Sequence, residues 1–98
     1  MPPSLKNVSF QPQSYTDKLE QAFPASRNTT DPTNRQMRET FFLMKDFGYD
    51  DFEKNNVVIG KFKSEGKLDN MMGIQQALEA SYNAGNRGVP AQVAAPTQ

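Results

Sequence analysis

A mainly α-helical chain is the fold class this sequence predicts, with three or four short helices between extended or disordered N- and C-terminal arms. Three observations point to it. Apolar residues recur at helical spacing over residues 14–23, 35–47 and 69–83. The seven prolines all fall before Thr33 or after Val89, so the middle of the chain is free of the residue that most often breaks helices. Helix-start and helix-stop residues flank each periodic stretch. The alternative is an α+β chain with a small β-ribbon around residues 56–68.

Residues 1–13 are polar and proline-bearing, with Val8 and Phe10 as the one alternating apolar pair, and read as an extended arm. A small helical domain is expected over 14–84. Its first helix begins at Ser14, with Asp17 in the capping-box position, and Tyr15, Leu19 and Phe23 share one face at i, i+4 and i+8. Pro24 helps to end it, and residues 25–32, rich in Ser, Thr, Asn and Pro, read as a linker.

The main helix starts at Asp31, with Pro32 at its first position, or at Thr33, a competing cap. Met37, Phe41 and Met44 form one stripe, and Leu43 and Phe47 form a second. A helix apolar over so much of its circumference needs cover on more than one side. Gly48 occupies the left-handed position that ends it.

The next segment, DDFEKNNVVIGKFK, is ambiguous. Phe52, Val58 and Phe62 continue a helical face, yet Asn55, Asn56, Val57, Val58, Ile59 and Gly60 are poor helix formers and VVIGKF suits a strand. Helix is preferred, because a strand here has no partner except the N-terminal arm and an isolated pair is marginal. A last helix is expected from a cap at Asp69 through Asn83, with Met71, Ile74, Leu78 and Tyr82 as its stripe. Gly85 and Gly88 end it, and residues 85–98 read as a flexible, low-complexity tail.

Composition excludes several classes of function. The chain has no Cys and no His, which removes disulfides and the usual zinc and copper ligands, so no metal or cofactor is expected. Formal net charge is zero, with eleven basic residues interleaved among eleven acidic ones, and this argues against nucleic acid as a partner. The longest apolar run is 41–44, far short of the roughly twenty residues a membrane span needs. MPPSLKNVSF has neither a basic region leading into an apolar run nor a small-residue cleavage site, so the expected location is the cytoplasm, or a particle assembled there.

Candidate motifs fare poorly on inspection. GKFKSEGKL places five residues between its glycines and Leu68 after Lys67, whereas a phosphate-binding loop has four and then Ser or Thr. Asp46, Asp50, Asp51 and Glu53 fit no calcium-loop register, since a loop begun at Asp46 puts Gly48 third and Asp51 sixth. Asn7 and Asn28 begin matches to the glycosylation pattern, which carry no weight without a secretory signal. Without histidine, a Ser or Thr nucleophile has only Lys, a carboxylate or an amino terminus as its base, so no enzyme is expected.

Function is therefore sought in the surplus of hydrophobes. Phe41, Phe42, Met44, Phe47, Tyr49, Phe52, Met71 and Met72 are the candidate partner-binding residues, with Leu43 among them. They exceed what two short helices are expected to cover, and aromatics and Met are enriched at contact centres. The competing reading is that they form the chain's own core. The expectation is a non-enzymatic structural or accessory subunit that docks on a protein partner or on itself, a makeup shared by small virion and connector components. The rivals are a small inhibitor or regulator of one target enzyme, and a weak nucleic-acid-binding helical module using Arg35, Arg38, Lys45, Lys61, Lys63 and Lys67.

Overall fold

A computed structural model describes residues 13–27 and 30–94. They form four α-helices and no strand: α1 (Tyr15–Ala22), α2 (Pro32–Asp46), α3 (Phe52–Ser64) and α4 (Met71–Asn83). Two short 3-10 turns join them, η1 (Ala25–Arg27) and η2 (Pro90–Gln92). The arm read over residues 1–13 lies outside the described residues except for Gln13, and neither glycosylation-pattern match is fully described.

The predicted capping box opens α1. Asp17 N–H donates to Ser14 Oγ at 3.1 Å, and Ser14 N–H donates to Asp17 Oδ2 at 3.4 Å. At α2 the competition between caps is decided for Asp31, whose Oδ1 accepts from Asn34 N–H at 3.1 Å, while Pro32 fills the first turn where its missing N–H costs nothing. Met37, Phe41 and Met44 are buried as the stripe requires. The helix ends with Gly48 at φ 91°, a backbone setting a side chain would strain. Gly48 N–H then donates to the Lys45 carbonyl at 2.9 Å and Tyr49 N–H to the Met44 carbonyl at 2.9 Å, a Schellman closure that folds Tyr49 inward beside Met44.

The ambiguous stretch is helical throughout, and the β-ribbon alternative is absent among the described residues. Its inward stripe is Asn55, Val58, Ile59 and Phe62, at i, i+3, i+4 and i+7. A polar residue opens that stripe, which is why the period is hard to see in the sequence. Asp51 caps the helix by accepting from Lys54 N–H at 3.1 Å, and Lys61 and Lys63 sit in the last turn, where a cation suits the helix dipole. Burial of this stripe overrides the poor intrinsic propensity of Asn55–Gly60.

The start of α4 is corrected by one residue. Asn70, not Asp69, is the cap, with Oδ1 accepting from Gly73 N–H at 3.0 Å. Gly73 makes this possible, because a Cβ there would lie 2.3 Å from Asn70 Nδ2. Of the predicted stripe, Ile74 and Leu78 are fully buried, while Met71 and Tyr82 are only partly so.

Two helices organise the packing. α2 contacts α3, α4 and η1, and α3 contacts α1, α2 and η2. α2 and α4 run in the same sense, since Thr40 meets Met71 and, further along both, Phe47 meets Tyr82. Within residues 85–94, η2 lies on α3, and Pro90 and Val93 are buried. The linker is likewise partly structured, with η1 against α2 and Asn34 Nδ2 donating to the Pro24 carbonyl at 3.2 Å.

Candidate functional site

The residues singled out for partner contact separate into three groups. Phe41, Met44 and Tyr49 have no exposed surface and belong to the chain's own core. Phe42, Phe47, Phe52 and Met71 are partly buried against that core, as is Leu43. Met72 stands out on the first turn of α4 with 73% of its surface exposed.

The buried group is part of an aromatic nest built by α1, α2 and α3. Phe41 and Phe52 stack with centroids 4.6 Å apart and planes 8° from parallel. Tyr15 presents its edge to both, at 6.2 and 5.9 Å, and Phe23 lies 5.3 Å from Phe41. Such offset and edge contacts add about 0.5–1.5 kcal/mol each beyond the area they bury. A polar seam crosses the nest. The Tyr15 hydroxyl donates to the Phe41 carbonyl and accepts from Asn55 Nδ2 at 2.9 Å, and the same amide donates to the Tyr49 carbonyl at 2.7 Å. Burial pushes the Tyr15 phenol up to about 12, against an opposing effect of the Asn55 hydrogen bond and with some help from the negative Asp50. The nest closes α1 over α2 and α3; the Asn55 amide donors are both engaged, while Asn55 Oδ1 and the buried Tyr49 hydroxyl meet no hydrogen-bond partner among the described residues.

The partly buried group makes a different surface. Leu43 and Phe47, one helical turn apart, bring α2 to its end beside Tyr82 of α4. The Phe47 and Tyr82 rings are 6.3 Å apart and inclined by 61°, and the Arg87 guanidinium carbon lies 4.2 Å from the Tyr82 centroid. Phe47 is thus the first member of a row that Tyr82 and Arg87 continue. Among the described residues Arg87 makes no ion pair. Arg38, by contrast, sits 5.2 Å from the Phe42 ring but also donates to the Phe23 carbonyl at 2.9 Å and pairs with Glu20, so it is held by the fold. Met71 meets Thr40 Oγ1 at 3.6 Å, yet that hydroxyl has one hydrogen and the Gln36 carbonyl at 2.7 Å takes it, leaving the thioether a packing contact.

The chemical motifs acquire no active geometry. Asp50, Asp51 and Glu53 border an open depression of about 340 Å³, but Asp51 caps α3 and Glu53 pairs with Lys18 at 3.1 Å. Among the described residues there is no group of three or more metal-ligating side chains. Gly60 lies inside α3, so the sequence GKFKSEGKL is mostly helix rather than a phosphate-cradling loop. No helix among the described residues is long and apolar enough to cross a membrane.

Sequence reasoning missed Tyr82 and Arg87 as surface residues. Tyr82 falls on the core stripe of α4, and only its place at the end of the helix leaves it half open. Arg87 falls in the glycine-rich turn, and its return toward α4 carried no periodic signal. Set against family models, curated proteins and solved structures, the chain matches none.

Proposed function

We propose that this chain is a non-enzymatic accessory subunit, docking on a protein partner in a larger assembly through the face formed by Leu43, Phe47, Tyr82 and Arg87. The observation that carries the reading is the row Phe47–Tyr82–Arg87, in which two half-open rings at 6.3 Å are continued by a guanidinium 4.2 Å from the second. Aromatics and arginine dominate the centres of protein interfaces, because they bring large area with little entropy to lose and a charge that stacks on rings. The setting is the cytoplasm or a particle assembled there.

The test is comparative capture. Tagged wild-type protein, the double variant Phe47→Ala/Tyr82→Ala, and a control altered at the exposed Val57 of α3 are cross-linked in native extract and their partners identified by mass. The wild type and the control capture the same partner at fixed stoichiometry and the double variant loses it by tenfold or more. Equal capture by all three proteins excludes this face.

A second reading, a small regulator of one enzyme, draws support from the closed core. With Phe41, Met44 and Tyr49 wholly covered by the chain itself, the fold does not depend on an obligatory neighbour to hide them. A folded monomer that binds one enzyme at equal stoichiometry favours the regulator, and self-association or incorporation into a multimer favours the subunit.

A further inference from the structure

The face formed by Leu43, Phe47, Tyr82 and Arg87 carries opposite charges at its two edges. On the α2 edge, Asp46 stands three residues after Leu43 and seven after Glu39, so both carboxylates share the side of the helix that Leu43 occupies. Both are exposed, and among the described residues neither makes an ion pair. Lys45, the cation next to Asp46 in sequence, is turned the other way: its Nζ lies 5.6 Å from the Tyr15 ring, toward α1. On the α4 edge stands Arg87, exposed, 4.2 Å from the Tyr82 centroid and not paired with Glu79, the carboxylate a turn before Tyr82. Stacking fixes the guanidinium plane and leaves its N–H edge open to an incoming carboxylate, which it can take by two parallel hydrogen bonds. Between the edges lie Leu43 and the rings of Phe47 and Tyr82, 6.3 Å apart.

We propose that the occupant of this face is a second copy of the chain, in a dimer whose two-fold axis passes beside the rings and brings Arg87 of each copy to the Glu39 and Asp46 edge of the other. A two-fold contact uses one patch twice, so each charge on the patch must find its opposite across the axis. Acid at one edge, rings in the middle and base at the other meet that condition when turned half round and laid on themselves. A foreign protein would have to bring a carboxylate and a cation at the same spacing, whereas a second copy brings both. The rings supply the area that excludes water, and the edge charges set the orientation. The inference rests on the reading of this face as a docking surface and narrows it to one occupant.

Sedimentation equilibrium of the full chain at low salt tests it. Wild type forms a dimer that weakens as salt is added, because the edge charges are screened. Glu39→Lys/Asp46→Lys leaves both edges basic and Arg87→Glu leaves both acidic, so each variant alone dimerises more weakly by about tenfold or more. All three altered residues are exposed, and far-ultraviolet circular dichroism checks that the helices are kept. An equimolar mixture of the two variants regains a dimer of one copy of each, since every edge then faces its opposite. A monomeric wild type, or a mixture that associates no better than its components, overturns the proposal. A monomeric chain whose Phe47→Ala/Tyr82→Ala variant still loses its captured protein refutes the second copy and leaves the docking face standing. A dimer that the same double variant does not weaken refutes the face itself.

Discussion

The middle and the end of the same helix treat the same kind of residue in opposite ways. Around Phe41, in the middle of α2, four rings from three elements interlock, and a buried amide ties the carbonyl after α2 to the hydroxyl of α1. At the end of α2, Phe47 meets one ring, Tyr82, and the row runs out into solvent at Arg87. The residue types are alike, and the difference lies in what crosses over them. α1 contacts α3 and, through Tyr15, closes over Phe41, whereas Phe47 meets the end of α4 and stays partly exposed. An aromatic-rich stretch is thus not one object. A neighbouring helix makes one part core and leaves the other part surface.

The comparison breaks most plainly under truncation. Phe41→Ala is expected to cost about 3–5 kcal/mol in chemical denaturation, the range for deleting a fully buried phenylalanine, while Phe47→Ala is expected to cost less, about 1–2 kcal/mol, because its ring is only partly buried. Similar losses for the two would mean that the middle and the end are equally closed.

A smaller effect tests the polar seam. Asn55→Ala is expected to cost about 1–3 kcal/mol, since it deprives the Tyr49 carbonyl and the Tyr15 hydroxyl of a buried donor. Combined with Tyr15→Phe, its effect should fall short of the sum of the two, because the side chains share a bond. Strict additivity in a double-mutant cycle would show that the seam does not act as a unit.

Smaller still is an alkaline loss of stability. The Tyr15 phenol is held up to about 12 in the fold against an ordinary 10.0, so the fold prefers the neutral form. That contribution is complete below the ordinary value and disappears as pH rises from about 10 through about 12. Tyr15→Phe should flatten this part of the denaturation midpoint against pH, and an unchanged slope would place the hydroxyl in water. The least effect belongs to Glu20, whose partly exposed carboxylate pairs with the half-buried Arg38. The Arg38 hydrogen bond, assisted by that of Ala25 N–H, lowers the Glu20 carboxyl below its usual 4.5, so its contribution is present above that value and is lost as pH falls. Glu20→Gln should shift the acid limb of the same profile slightly and in a salt-sensitive way, as exposed pairs do.

Much of the architecture was legible because its signals are local. Ser14 with Asp17, Asp31 with Pro32, and Gly48 each specify a backbone event within four residues of themselves, and each event occurs where expected. The cap of α4 slipped from Asp69 to Asn70 because both residue types suit the role, and the choice rests on Gly73 leaving room for the Asn70 carboxamide. α3 was ambiguous because its inward stripe opens with Asn55, a residue that reads as surface until Tyr15 and the Tyr49 carbonyl are brought to it. The candidate site was legible in part. Phe47 and Leu43 were singled out for their apolar surplus, but nothing in their spacing distinguished them from Phe41 and Met44.

By itself the sequence determined α1 and α2 with their caps and stops, the existence of α4, and the absence of cysteine and histidine side chains, since these depend on residue identity and on contacts a few positions apart. Only the tertiary structure decided which hydrophobes are hidden. Burial depends on what crosses over a side chain, and the covering elements, α1 over Phe41 and the Pro90–Val93 strap over α3, come from parts of the chain far from the residues they cover.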